Sequence, residues 1–237
     1  MDTRTRHALK KDRFAAATAS SVSWMSSHRT AATRVATTAG IVLMVGIGAL
    51  IYWSWSTTKA NTALGAALDT YNAPLAQPEV PAGNGVYASA SERAKAANQQ
   101  FAAVAEEYGW LAAGAKAHYF AGITDMDLGQ NAAAETELKT AAAAWTWGDR
   151  NLSNLANLAL AGLYHRTGRD SQAIDLYNAL AAKPSETVSA GVAQLDLADL
   201  YAAEGKQEQA RALWAKVKDD DKDGAAGQIA SQKLGAK

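Results

Sequence analysis

One stretch of this 237-residue chain has the residue spacing of a calcium-binding loop. In DDDKDGAAGQIA, residues 219–230, Asp219, Asp221 and Asp223 stand at alternate positions and a glycine follows, as at the start of an EF-hand loop. The bidentate acid that closes such a loop should occupy the last position, where this chain has Ala230. We therefore interpret the stretch as a solvated acidic turn between two helices, and we expect no metal site there.

Other reactive residue types form no recognisable site either. The four histidines lack metal-ligand spacing, and the chain has no cysteine to serve as a ligand, a nucleophile or a disulfide partner. The GNG sequence at residues 83–85 follows prolines and lacks the Gly-Lys-Ser/Thr ending of a phosphate loop. Hydrolase and kinase signatures are missing as well. We expect a non-enzymatic protein without a cofactor. The alternative is an enzyme or an ion-responsive module whose site leaves no motif.

The charge balance argues against nucleic acid as a partner. The chain carries 23 Lys and Arg residues against 23 Asp and Glu residues, so it has no net field that would attract a polyanion. The absence of cysteine fits both reducing and oxidising compartments. The compartment must therefore be inferred from other features.

An uncharged apolar run separates the first residues from the rest of the chain. The run is AGIVLMVGIGALIYWSW, residues 39–55, and as a helix of 17 residues it is about 26 Å long. The uncharged residues 35–38 extend it to the roughly 30 Å of a bilayer core. Tyr52, Trp53 and Trp55 at its end suit an interfacial aromatic belt better than a buried core helix. We predict a single transmembrane anchor over residues 35–58.

Flanking charges set the expected orientation. Seven Lys and Arg residues precede the run against two Asp residues, whereas only Lys59 follows it before Asp69. The positive-inside rule then places the N-terminus in the cytoplasm. Two alternatives stay open. A cleaved signal peptide would need small residues before the cut instead of Trp-Ser-Trp, and the Arg-, Ser- and Ala-rich head also resembles a mitochondrial transit peptide.

The pattern along the rest of the chain is helical. Residues 1–34 lack an apolar period and are expected to form a basic, disordered cytoplasmic tail. Residues 59–90 are expected to form a helical extension and then a loop rich in Pro and Gly. Ser89 and Glu92 have capping-box spacing, and residues 91–237 contain helices and short turns without β alternation.

Two stretches with little else in common share one spacing: LYHRTGRDSQAIDLY, residues 163–177, and LYAAEGKQEQARALW, residues 200–214. Small residues let antiparallel helices approach closely, and Gly accepts the positive φ of a tight turn, so this spacing predicts a repeated helical hairpin. Asp170 is expected to cap the second helix of the first copy. The shared positions are Ala161, Tyr164, Gly168, Ala173 and Tyr177 in the first copy and Ala198, Tyr201, Gly205, Ala210 and Trp214 in the second.

These positions resemble the signature of the tetratricopeptide (TPR) repeat. A weaker copy precedes them, with Asp125 where the family has Tyr. The resemblance implies an all-α fold, in which an N-terminal transmembrane helix is followed by an α-solenoid of irregular TPR-like helical hairpins. The weaker copy keeps Gly122, Gly129, Ala134 and Leu138 in frame, and a further unit has residues 60–72 as its first helix and Ala97, Phe101 and Val104 in its second.

The layout over residues 35–237 is similar to that of the YfgM-like family, ancillary subunits of the SecYEG translocon in bacterial inner membranes. This resemblance implies a periplasmic, non-enzymatic scaffold that binds translocon subunits, chaperones or emerging polypeptides. TPR convention places the binding groove on the inward face of the first helices, which here comprises Lys116, Tyr119, Ile123, Met126, Leu155, Leu158, His165, Arg166, Leu195 and Asp199. For Leu155, Leu158 and Leu195, plain core packing is the alternative.

Overall fold

The structure is a computed structural model and describes residues 29–78, 81–83, 85–143 and 149–235. These residues form nine α-helices and no strand. The chain divides into two compact units, Met1–Trp55 and Ser56–Lys237. The all-α prediction is confirmed, whereas most of the predicted tail, residues 1–28, lies outside the described residues. The helices are α1 (Arg29–Tyr71), α2 (Ala90–Tyr108), α3 (Ala112–Asp127), α4 (Asn131–Ala142), α5 (Arg150–Arg166), α6 (Asp170–Ala182), α7 (Ala190–Ala203), α8 (Gln207–Asp220) and α9 (Ala225–Gly235).

Helix α1 begins at Arg29, six residues before the anchor boundary expected from the sequence. The hydroxyls of Thr37 and Thr38 donate to backbone carbonyls three or four residues earlier, so these polar side chains are satisfied inside the helix. Large apolar side chains of the first unit are exposed, from 49 % at Ile47 to 67 % at Met44, which excludes a buried core helix there. Within the described residues, α1 is the one helix long and apolar enough to cross a membrane.

The last part of α1, residues 56–71, belongs to the second unit and forms an antiparallel hairpin with α2. The start of α2 lies beside the end of α1, because Arg93 Nη1 donates to the Ala73 carbonyl oxygen at 2.9 Å. Further along α2, Gln100 Oε1 accepts from Thr70 Oγ1 at 3.1 Å. The buried cluster between the two helices contains Ala60, Leu64, Ala67, Ala97, Phe101 and Val104. The predicted interior of this first hairpin is therefore confirmed.

The capping box that the sequence predicts at the start of α2 is present in its Ser89 half. Ser89 Oγ accepts from the Glu92 backbone N–H at 3.1 Å, and the Glu92 carboxylate accepts from the Ala88 N–H at the same distance. The first hydrogen bond satisfies a donor of the first helical turn, whereas the second joins Glu92 to the residue before the N-cap and not to the N-cap N–H of a complete capping box.

Three hairpins follow, and a glycine at positive φ ends the first helix of each. The φ angles are 73° at Gly129, 72° at Gly168 and 77° at Gly205. In each turn the next residue donates its N–H, at 2.8 Å, to a carbonyl oxygen five residues earlier, which completes a Schellman-type cap. The predicted turns are confirmed. The predicted cap at Asp170 is wrong, because Arg169 occupies the N-cap position and Asp170 is the first helical residue.

The predicted small residues lie where the helices approach each other. Each of the four repeat alanines is fully buried, and the aromatic residues beside them are nearly so, with 5 % exposure at Tyr164 and Tyr177 and 7 % at Trp214. Tyr201 is only half-buried. The repeat spacing in the sequence is therefore the spacing of the hairpin interior.

Consecutive hairpins are also joined by a charged contact. Glu135 in α4 accepts from Lys139 at 2.8 Å, from Arg169 Nη1 at 2.7 Å and from the Tyr164 hydroxyl at 3.2 Å. The Arg169 guanidinium lies 4.3 Å from the centroid of the Tyr164 ring. Hydrogen bonds from Lys139 and Arg169 lower the pKa of Glu135 to about 2, so its carboxylate is ionised at neutral pH and links α4 to the next hairpin.

Gly122 marks the closest approach of α3 to α4. A Cβ atom added at this position would lie 2.7 Å from Leu138 Cγ, and Leu138 is fully buried.

We expect Gly122→Ala to lower the free energy of unfolding by about 1 to 2 kcal/mol, because overpacking outweighs the better helix propensity of Ala. Gly162→Ala in α5 is the matched control. Apart from its chain neighbours and the nearby backbone of its own helix, no atom of the described residues lies within 4 Å of the added Cβ there, so a gain of up to about 1 kcal/mol is expected. Urea unfolding of the detergent-solubilised chain measures both, and a gain in both variants would contradict the close approach.

Candidate protein-binding face

The predicted groove residues of α3 lie on one partly exposed face. Lys116 is exposed, whereas Tyr119, Ile123 and Met126 are half-buried and pack against the cluster between α4, α5 and α6. Their remaining surface is apolar apart from the Tyr119 hydroxyl.

The end of α1 contributes to the same face. The Tyr71 hydroxyl donates to Asp127 Oδ2 at 3.4 Å, which places the α1 terminus beside the last turn of α3. Burial raises the pKa of Tyr119, and the nearby Tyr71 adds to that increase. The Tyr119 ring meets Phe120 edge to face, with ring centroids 5.1 Å apart. We call Tyr71, Tyr119, Ile123 and Met126 the α1–α3 patch.

Helix α5 places its predicted groove residues in two settings. Leu155 and Leu158 are half-buried against a small core that contains Leu180 and Val188. At the other end of the helix, Arg166 is exposed, and His165 Nδ1 lies 2.7 Å from Asp170 Oδ1. One side of each leucine therefore packs in the core and the other side stays at the surface. The His165 imidazole is oriented by the Asp170 carboxylate.

Of the two predicted groove residues on α7, Leu195 is buried and Asp199 keeps a partly exposed side chain. Leu195 is 7 % exposed and belongs to the core beneath α9, so the core-packing alternative holds for it. Asp199 Oδ2 accepts from Lys233 Nζ of α9 at 2.8 Å. Burial raises the pKa of the neighbouring Asp196, and Asp199 raises it further. Helix α9 thus covers Leu195, and the partly exposed apolar residues among the predicted positions lie on α3 and α5.

A buried polar cluster under the face was not predicted from the sequence. Asn98 Nδ2 donates to Asp125 Oδ1 at 2.8 Å, to Thr124 Oγ1 at 3.0 Å and to the Ala121 carbonyl oxygen at 3.2 Å. Asp125 is only 4 % exposed, and burial raises its pKa. The sequence does contain one signal for this cluster. Asp125 is a charged residue at a repeat position that normally holds Tyr, which indicates a buried polar partner on the preceding helix.

The calcium-like spacing near the C-terminus has a capping role. Asp221 Oδ2 accepts from the backbone N–H groups of Ala226 and Gly227, at 3.1 and 3.2 Å, and so holds the first turn of α9. A Cβ atom at Gly224 would overlap the Asp221 carboxylate. Among the described residues, no group of three or more His, Asp or Glu side chains is placed to hold a metal ion.

Comparisons with known proteins agree with the hairpin stack. The family model for the tetratricopeptide repeat-like domain matches residues 30–236. Two solved structures of a kinesin light chain-like protein from Podosopora anserina with nearly identical TPR-like repeats, one a single-residue variant, are similar at TM-scores of 0.50. They share 17 % and 16 % identity and cover 60 % of this chain and 76 % of their own, which shows likeness of fold alone. A search of curated proteins gives no significant match. The chain belongs to the tetratricopeptide repeat-like domain family.

Proposed function

We propose that this chain is a membrane-anchored, non-enzymatic scaffold that binds proteins or emerging polypeptides at the outer face of a bacterial inner membrane, beside the Sec translocon or periplasmic chaperones. The observation that carries the proposal is a stack of TPR-like hairpins whose first helix is preceded by an exposed apolar segment of the same helix. TPR-like repeats serve as protein-interaction scaffolds, so the stack supplies the binding element and the apolar segment supplies the tether.

Three features support the membrane tether. The apolar side chains before Trp55 are exposed and thus suited to lipid contact. Tyr52 and Trp55, with ring centroids 6.5 Å apart, stand at the end of the run, where an interfacial belt is expected. The excess of basic residues before the run favours a cytoplasmic N-terminus, with the second unit on the periplasmic side. Protease added to spheroplasts should then digest the second unit and leave the basic tail, residues 1–34, intact. Protection of the second unit would contradict this orientation.

The chemistry of the face favours polypeptide over a small molecule. The α1–α3 patch is open and apolar, with Asp127 at one edge and the exposed Lys116 at the other end of α3. Such a surface can accept apolar side chains of an extended or helical segment and pair with charges on either side of it. A tethered groove acts at a raised local concentration, so weak binding of many clients is sufficient beside a site of polypeptide exit.

Photo-crosslinking in cells tests the proposal. We expect a photo-reactive amino acid at Tyr119 or Arg166 to capture exported polypeptides, translocon subunits or periplasmic chaperones, identified by mass spectrometry of the crosslinked bands. Thr136 and Asn178 are matched controls, because both are exposed but lie on second helices. Unchanged protein level and thermal midpoint establish that each variant is folded.

The result that would contradict the scaffold proposal is equal capture from both pairs of positions in folded, membrane-bound protein. Capture of cytoplasmic proteins alone from Tyr119 and Arg166 would contradict the proposed location. Capture of translocon subunits without exported polypeptides would assign the face to assembly of the translocon instead of to client binding.

A further inference from the structure

We propose that the turn between α2 and α3, with Trp110 at its centre, contacts the lipid headgroup region and so holds the repeat stack against the bilayer surface at a second point. This inference rests on the proposed membrane anchor, and the partner is the lipid surface itself. The carrying observation is an exposed indole at the end of the second unit where the chain enters it from the proposed anchor.

The antiparallel hairpin of α1 and α2 determines the level of this turn. Thr70 and Gln100 lie side by side, as their hydrogen bond shows. Ten residues further along α2 correspond to about 15 Å, which brings Trp110 to the level of Ala60 in α1. The packing agrees, because Ala60 shares its buried cluster with Leu111, and Tyr108 packs against that cluster. Ala60 follows the proposed anchor, residues 35–58, by only two residues.

Trp110 is presented by a rigid turn. The Leu111 N–H donates to the Tyr108 carbonyl oxygen at 2.8 Å, and α3 begins at the next residue. Gly114 lets the first turn of α3 approach the end of α2 so closely that a Cβ atom there would overlap the Tyr108 carbonyl. These contacts hold the turn in a fixed position at the end of the domain. The packing of α3 against the end of α2 therefore sets which side of the turn faces outward.

The exposure of Trp110 is unusual within its unit. Its side chain is 46 % exposed, and among the described residues of the second unit only Ile229 is another large apolar side chain in the exposed class. Indole rings are enriched at membrane interfaces because they combine an apolar body with one N–H donor. Headgroups occupy roughly 5 to 8 Å on each side of a bilayer core, which covers the level of Ala60 when the anchor ends two residues before it.

Charge identifies the kind of lipid surface. Glu106 and Glu107 are exposed in the last turn of α2 and Lys59 is exposed beside Ala60, so these residues leave a net negative charge at this level. Anionic headgroups would be repelled by these carboxylates, whereas a zwitterionic surface accepts the indole without that cost. The contact is therefore expected in phosphatidylcholine bilayers and should not strengthen when anionic lipid is added.

The absence of cysteine makes a labelling experiment specific, because any introduced cysteine is the sole thiol of the chain. Ala112→Cys places an environment-sensitive fluorophore two residues from Trp110 and leaves the indole in place. Gln130→Cys is the control, since it is also exposed but stands at the opposite end of α3, about 25 Å away. The full chain is reconstituted in phosphatidylcholine vesicles that carry nitroxide-labelled headgroups.

We expect the label at 112 to be quenched at least two-fold more strongly than the label at 130, and Trp110→Ser in the Ala112→Cys background to remove most of that difference. Circular dichroism verifies that the helices are retained. If carbonate extracts the full chain from the vesicles, the anchor proposal fails and this inference fails with it. If the chain stays in the vesicles but the two labels are quenched equally, or Trp110→Ser has no effect, only the Trp110 contact is overturned and the anchor stands.

Discussion

Trp214→Ala is expected to lower the free energy of unfolding of the detergent-solubilised chain by about 3 to 5 kcal/mol. Trp214 is 7 % exposed and fills the centre of the core beneath α9, together with Leu195, Val217 and Ala226. Removal of the indole leaves a cavity that small neighbouring side chains cannot fill. For a unit of this size, the thermal midpoint is expected to fall by roughly 6 to 20 °C.

Trp214→Phe is the matched control for this variant. Trp214 Nε1 has no hydrogen-bond partner among the described residues, so phenylalanine leaves no acceptor unsatisfied and most of the ring volume remains. We expect a loss below about 1.5 kcal/mol. Because repeats are stabilised mainly by their neighbours, loss of helicity should begin with α8 and α9, which hydrogen exchange can locate. An unchanged midpoint for Trp214→Ala would contradict the assignment of this residue to the repeat interior.

Asn98→Leu is expected to cost about 3 kcal/mol at neutral pH, because it leaves the buried carboxylate of Asp125 without its hydrogen-bond donor. Leucine matches the asparagine in size, so lost packing contributes little. The double variant Asn98→Leu/Asp125→Leu removes both polar partners and should recover most of the stability. Urea unfolding of the three proteins separates the charge effect from the packing effect.

The same variant should show a distinctive pH dependence. Burial raises the native pKa of Asp125 above its unfolded value near 3.8, and Glu137 of α4 adds to the increase, while the Asn98 hydrogen bond opposes it. The native state therefore binds this proton more tightly, so the contribution of the carboxyl is most favourable below the unfolded pKa and is lost as pH rises through the native pKa. Without Asn98 the native pKa rises further. The deficit of Asn98→Leu should thus be smaller near pH 4 than near pH 8, and a deficit independent of pH would contradict the role of the carboxylate.

The repeat architecture could be predicted from the sequence because its determinants are local. A glycine at the turn, an alanine at each close approach and an aromatic residue one turn beyond all recur within about 15 residues, as the copies around Gly168 and Gly205 show. The apolar run before Trp55 is likewise a local signal of length and composition. These features depend little on the identity of distant residues, so a single sequence was sufficient.

The details that were missed depend on contacts between helices. The pairing of Asn98 with Asp125 joins residues on two helices, and neither residue alone indicates which group lies opposite. TPR convention places Leu195 on the groove face with core packing as the alternative, and the alternative holds because α9 covers this residue through Ala226 and Ala230. Asp170 has the residue type of a cap, yet the Schellman turn at Gly168 starts the helix at that residue. Packing of neighbouring elements decided each of these cases.

The pairing of each helix with its neighbours in the chain has a consequence for biogenesis. The buried hydrophobic clusters of the second unit join helices that are consecutive or nearly consecutive in the chain. This holds from the α1–α2 hairpin to the packing of α9 against α7 and α8. Contacts of low sequence separation form quickly and do not require distant segments to meet first. Each hairpin can therefore fold as soon as it has been synthesised and cleared the exit path, from the N-terminus onward. A chain built in this way can complete its structure vectorially, without a long-lived unfolded intermediate exposed to proteases.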